Sequence, residues 1–157
     1  MVADYGAFRD LQRHRMCTVT WQRLTPDLGY ELPAEVAAAG LDGRYRQSLE
    51  RLAGLYRALE PRFAAQAPYA VSMAHRVRFA ITLNARELMH IAELRSSPQG
   101  HPTYRSVAQR MHTLVAERAG HLGLAEAMRF VVHDDVDLGR LAAEQRSEAR
   151  RSGVLPA

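Results

Sequence analysis

The chain contains no lysine: all 21 of its basic residues are arginine, set against 17 acidic ones. So complete a bias in an alanine-rich chain reflects codon usage more simply than function. The net charge of +4 admits an anionic ligand. However, the arginines alternate with acids along the expected helices and form no block, and no nucleic-acid-binding module is present, so nucleic acid is not the expected partner. Cysteine is nearly absent. Cys17 alone excludes an internal disulfide and fits a reducing cytosol, and a thiol in an apolar strand reads as inert packing. No apolar run approaches the roughly 18 residues of a membrane span, and the N-terminus lacks a signal-peptide core, so a cytoplasmic protein without a membrane partner is expected. Glycine-rich phosphate loops, Walker sequences and Ser-His-Asp sets are missing too.

The 157 residues suffice for one domain burying roughly two thirds of its unfolded surface. Tyr5 to Arg15 reads as a short helix, with Phe8 and Leu11 three apart. It delivers Arg13-His14-Arg15 into Met16-Cys17-Thr18-Val19-Thr20-Trp21, whose β-branched and aromatic residues read as a strand. Leu24 to Leu32 carries turn chemistry, and Pro33 opens a small helix through Ala39. From Leu41 a longer helix follows, with Tyr45, Leu49, Leu52, Tyr56 and Leu59 on one apolar seam. Within Ala70 to Leu83, Val77, Phe79, Ile81 and Leu83 alternate with Arg76, Arg78, Ala80 and Thr82, the period of a half-buried strand with one basic face.

Asn84 to Arg95 is the stretch around which the rest is arranged. Leu88, Ile91, Ala92 and Arg95 share one helical side, Asn84 suits an N-cap, and Arg86 adds a planar cation beside unsatisfied N–H groups that favour an anion. A loop at Ser96-Ser97-Pro98-Gln99-Gly100 leads into a helix from His101 or Thr103. Its face is Tyr104, Val107, Ala108, Met111, Leu114 and Val115, and Leu122 to Val131 forms another short helix. From His133 onward periodicity is lost. We expect an α+β fold, a small twisted sheet packed by several helices, comprising a domain over residues 1–132 and a polar C-terminal tail over 133–157 that ends frayed after Ser152. No metal site is expected. His101 and His112 lack zinc spacing, and His133-Asp134-Asp135-Val136-Asp137 reads as a solvated acidic turn.

Two stretches carry chemistry together: Arg13-His14-Arg15, whose arginine forks match phosphate oxygens in pairs, and Asn84-x-Arg86-x3-His90-x4-Arg95. In that combination and order the chain resembles the flavin-dependent thymidylate synthases, which carry an Arg-His-Arg signature and, near the C-terminus, an Asn-x-Arg helix ending in Leu-x-Arg or Leu-Arg. The resemblance spans residues 5–130. It implies the fold of that family without its N-terminal part, FAD held by Arg13, His14, Arg15, Asn84, Arg86 and His90, and a catalytic Arg95 that contacts the uracil of dUMP. It further implies NADPH as reductant, methylenetetrahydrofolate as one-carbon donor, dTMP as product, and a homo-oligomer, a tetramer in the family.

Departures accompany the match. The family places a serine eight residues after its Arg-His-Arg, where Arg23 stands here as a substitute nucleotide contact. Trp21 stands near the family's glutamate, Leu24-Thr25-Pro26 replaces an Arg-Tyr pair, and Pro68-Tyr69 lies where another nucleotide-binding arginine is placed. The family also has a longer segment ahead of the signature. The flavin half of the site therefore reads as kept and the dUMP phosphate half as rebuilt or lost. The alternatives are a catalytically silent relative that binds FAD or another anion and serves in assembly, or an arginine-rich helical binding module.

Overall fold

A computed structural model describes residues 1–134 and 139–152. The chain divides into two compact units: residues 1–12 with 19–81, and residues 13–18 with 82–157.

In the first unit, β1 (Val2–Asp4) leads directly into α1 (Tyr5–Leu11). The Asp4 carboxylate caps that helix, accepting from the Ala7 N–H at 2.7 Å. Strands β2 (Cys17–Trp21) and β3 (Arg76–Leu83) complete a three-stranded sheet of order β1-β3-β2; Cys17 and Thr18 at the start of β2 and Thr82 and Leu83 at the end of β3 are counted with the second unit. β1 and β3 are antiparallel, with Val2 opposite Arg78 and Asp4 opposite Arg76. The period-two pattern of β3 holds: Val77 and Phe79 are buried while Arg78 and Ala80 are exposed. Phe8 packs its ring 4.6 Å from Phe79 and 5.9 Å from Trp21, which fastens α1 to the sheet.

After the loop come α2 (Ala34–Ala38), with Pro33 at its N-cap, and α3 (Asp42–Leu59). The α3 seam is realised: Leu49 and Tyr56 are buried, and Tyr56 joins Ala67, Ala70 and Val71 around a 3-10 turn (Ala67–Ala70), with Leu24 and Leu59 against them. Gly29 adopts φ 74°, a left-handed turn conformation that lets its carbonyl accept from the Arg76 N–H at 2.9 Å.

The second unit is helical. α4 (Ala85–Arg95), α5 (Pro102–Glu117) and α6 (Leu122–Ala127) enclose a core of Ala92, Val115, Ala125 and Met128, flanked by Leu88, Met89, Leu124 and Val131. On α5 the expected face is largely right, with Tyr104, Ala108 and Val115 buried, but Leu114 is exposed and Arg105 is buried in its place. The Arg105 Nε donates to the Ser96 carbonyl at 3.3 Å, which gives an acceptor to one N–H of a cation the hydrophobic pattern gives no reason to bury.

Two boundaries and two elements differ from expectation. α1 ends at Leu11, with Gln12 as its C-cap, so Arg13-His14-Arg15 lies outside the helix. α6 stops at Ala127. β1 was not anticipated. The polar region contains α7 (Arg140–Arg151), which buries none of its residues. It is built from strong helix formers and an i,i+4 pair, Arg140 Nε to Glu144 at 2.7 Å, and so needs no apolar stripe. Asp135 and Asp137 of the acidic turn, and the tail beyond Ser152, lie outside the described residues.

Candidate functional site

The second unit brings the Arg-His-Arg signature onto α4. Asn84 caps that helix as expected, its side-chain oxygen accepting from the Glu87 N–H at 2.9 Å. Position three of the helix thereby puts Glu87 at a fixed point of the first turn, where its side chain turns inward. Its Oε1 lies 2.7 Å from Nδ1 of His14, and both side chains are nearly excluded from solvent. At the other end of α4, the Arg95 Nε donates to His14 Nε2 at 2.9 Å. One imidazole thus joins two α4 side chains two turns apart.

Proton positions follow from these partners. An ionised carboxylate only accepts and a guanidinium only donates, so His14 carries its hydrogen on Nδ1 and its lone pair on Nε2. The ring is neutral. Burial lowers its pKa below the usual histidine value, and the Arg95 charge lowers it further, against the opposing pull of Glu87. The Arg95 guanidinium also lies over the Tyr104 ring, 5.2 Å from its centroid, so a cation–π contact helps fix its plane. His90 packs edge-on to His14 at 5.4 Å between ring centroids. The Cys17 thiol donates to the His14 carbonyl at 2.9 Å, and burial raises its pKa, in keeping with an inert thiol.

Around this buried link the other predicted groups are exposed: Arg13, Arg15, Asn84, Arg86 and His90. The exposed guanidiniums of Arg13, Arg15 and Arg86 suit a ligand that carries phosphates. A cation fits less well. His14, Glu87 and His90 bring one ligand atom each within 4.8 Å of one another, yet both His14 nitrogens are already hydrogen-bonded and one of them faces a guanidinium.

Arg23 belongs to the first unit. Its guanidinium donates to the Ala64 carbonyl, lies 3.4 Å from a Glu60 carboxylate oxygen, and sits 5.9 Å from the centre of the Tyr56 ring. Sequence reasoning did not single out Glu87. The signal was present: Asn84-x-x-Glu87 is a helix-start pattern, but that pattern assigns the glutamate to backbone capping, and only the fold shows it turned to His14.

The model of the thymidylate synthase complementing protein family matches residues 2–120. A UPF0159 protein of Chlamydia pneumoniae is 41% identical over 149 residues, covering 94% of this chain and 28% of that protein. The chain spans only 28% to 31% of the length of the curated relatives it matches. Among solved structures, the thymidylate synthase ThyX of Helicobacter pylori with FAD and dUMP superposes with a TM-score of 0.59 at 22% identity, covering 80% of this chain and 68% of that one. A UMP/dUMP methylase of Streptomyces cacaoi, PolB, bound with 5-Br UMP, gives 0.65 at 18% identity, covering 83% and 72%. At those identities the likeness is one of fold.

Proposed function

The chain belongs to the thymidylate synthase complementing protein family, and from that membership we propose that it binds FAD and methylates dUMP to dTMP, using methylenetetrahydrofolate as one-carbon donor and NADPH as reductant. The observation that supports this most is the Glu87–His14–Arg95 link, which joins the signature to the end of the Asn84 helix within one compact unit. Arg13, His14, Arg15, Asn84, Arg86 and His90 would hold the flavin, which when bound supplies the redox chemistry. Arg95 has a separate role. A permanent cation beside an acidic ring N–H of uracil stabilises the conjugate base and raises electron density on the carbon that receives the one-carbon unit.

A second reading is favoured by one observation. Arg23, which stands where the family has its serine, is engaged by Glu60 and Ala64 within the first unit, which supports a nucleotide phosphate contact that is rebuilt or lost. In this reading the protein is a silent relative that binds FAD or another anion and serves in assembly. Two measurements separate these possibilities. Purified protein with a flavin absorption band supports both, whereas colourless protein that takes up no added FAD overturns flavin binding. Tritium release from 5-labelled dUMP with methylenetetrahydrofolate and NADPH supports the enzyme, and release at background, with UMP failing as well, leaves the silent relative. A homo-oligomer in the cytoplasm completes the proposal.

A further inference from the structure

We propose that Glu87 is a positioning residue: by fixing the His14 tautomer it sets how Arg95 presents its guanidinium to an anionic or acidic ligand. The inference rests on the reading of Arg95 as the group that meets the pyrimidine, and it adds a residue that the signature motifs do not include.

Three bonds carry it. Glu87 accepts at His14 Nδ1 (2.7 Å), His14 Nε2 accepts from Arg95 Nε (2.9 Å), and the guanidinium rests over Tyr104 at 5.2 Å. In the opposite tautomer a hydrogen on Nε2 would face the Arg95 Nε–H, donor against donor, while Glu87 would face a bare lone pair. Both contacts would be lost together. Protonating the ring creates the same conflict at Nε2 and adds a like charge. A buried carboxylate that accepts a hydrogen bond from Nδ1–H therefore leaves Nε2 only one role, and that role anchors Nε of the arginine. The guanidinium is rigid and planar, so fixing Nε and the stacking plane fixes the direction of its remaining N–H groups.

The groups facing His14 are Glu87, Arg95 and His90 from α4, and Cys17 through the His14 carbonyl. Of these only Glu87 is an anionic acceptor for the ring. Replacing it by glutamine keeps shape and volume but offers Nδ1 either a carbonyl or an amide, so the side chain no longer dictates the tautomer.

The test reads the tautomer directly. In protein labelled with 15N-histidine, long-range proton–nitrogen correlation, with His14→Gln identifying the signal, should show His14 neutral with its hydrogen on Nδ1 at pH 7.5. In Glu87→Gln the signal should move toward the Nε2–H form. Affinity for dUMP, measured by calorimetry on flavin-loaded protein, should fall roughly tenfold or more, as when a supporting hydrogen bond behind a binding group is removed, with flavin content retained. A wild-type His14 that is an imidazolium or carries its hydrogen on Nε2 overturns the proposal without any variant having to fold. An unchanged tautomer, or unchanged dUMP affinity with a shifted tautomer, in Glu87→Gln also overturns it. If the wild-type tautomer is as stated but dUMP does not bind at all, the reading of Arg95 as a pyrimidine contact fails instead, and the assignment of Glu87 as positioning it falls with that reading.

Discussion

At the scale of single residues, burial decides which groups titrate. His14 and His75 are both buried, and burial holds both below the ordinary histidine pKa of 6.5. His75 Nδ1 accepts from the Ser72 N–H at 3.1 Å, so its lone pair, like that of His14 Nε2, is in use. The sign follows from linkage. Below pH 6.5 the unfolded chain takes up protons that the folded chain refuses, so this stabilisation is intact above about pH 6.5 and is lost as pH falls toward the folded values. The urea midpoint should be level between about pH 7 and 8 and decline from about 6.5 to 5, with His14→Gln flattening part of the decline. A midpoint that rises on acidification contradicts this. Arg95 yields a second prediction. Lysine keeps the charge but has neither the Nε–H in place nor a planar fork, so Arg95→Lys should abolish dUMP turnover while flavin absorbance stays near normal. Loss of flavin in that variant would move Arg95 from the substrate side of the site to the cofactor side.

At the scale of elements, the sequence is most legible where one side of an element is apolar. The α3 seam, the alternation of β3 and the cap of α4 are all readable because burial imposes a period or a terminus requires an acceptor. β1 is only three residues long and depends on its pairing with β3, so no local pattern announces it. α7 is mostly polar, buries none of its residues and carries the Arg140–Glu144 pair, so no long apolar seam announces it. The candidate site divides in the same way. The arginines and His14 are legible as a motif, but which of the three is buried is not, because His14 is enclosed by Glu87 and Arg95 from far along the chain. The α4 start allows capping and ligand binding to be separated. Asn84→Ala should cost about 1 kcal/mol of stability in urea denaturation through loss of the cap. Asn84→Asp keeps an acceptor for the Glu87 N–H and should preserve stability, but its negative charge should lower flavin content if the phosphates lie near. Equal flavin content in wild type and Asn84→Asp would remove Asn84 from the cofactor site.

At the scale of the whole molecule, the sheet decides what the chain needs from its surroundings. Among the described residues it has three strands, so β1 and β2 are both edges with unpaired backbone groups. β2 is the more exposed of the two, with none of its residues buried, and it ends in Trp21, which is 54% exposed although its ring lies 5.9 Å from that of Phe8. Large apolar side chains elsewhere are also in solvent, including Tyr69 at 91% and Phe63 at 54%. An isolated chain of this size gains nothing from leaving an aromatic edge uncovered, since covering the exposed part of one tryptophan is worth on the order of 1–2 kcal/mol and pairing an edge satisfies backbone groups besides. We therefore expect a homo-oligomer, and light scattering at micromolar concentration should return a multiple of the 17.6 kDa chain mass. Trp21→Glu places a charge on the open edge, where charged residues block strand addition, and should shift the population toward the single chain. Wild-type protein that runs at 17.6 kDa across that range would mean that the edge tolerates water, and that this chain does not assemble through its sheet.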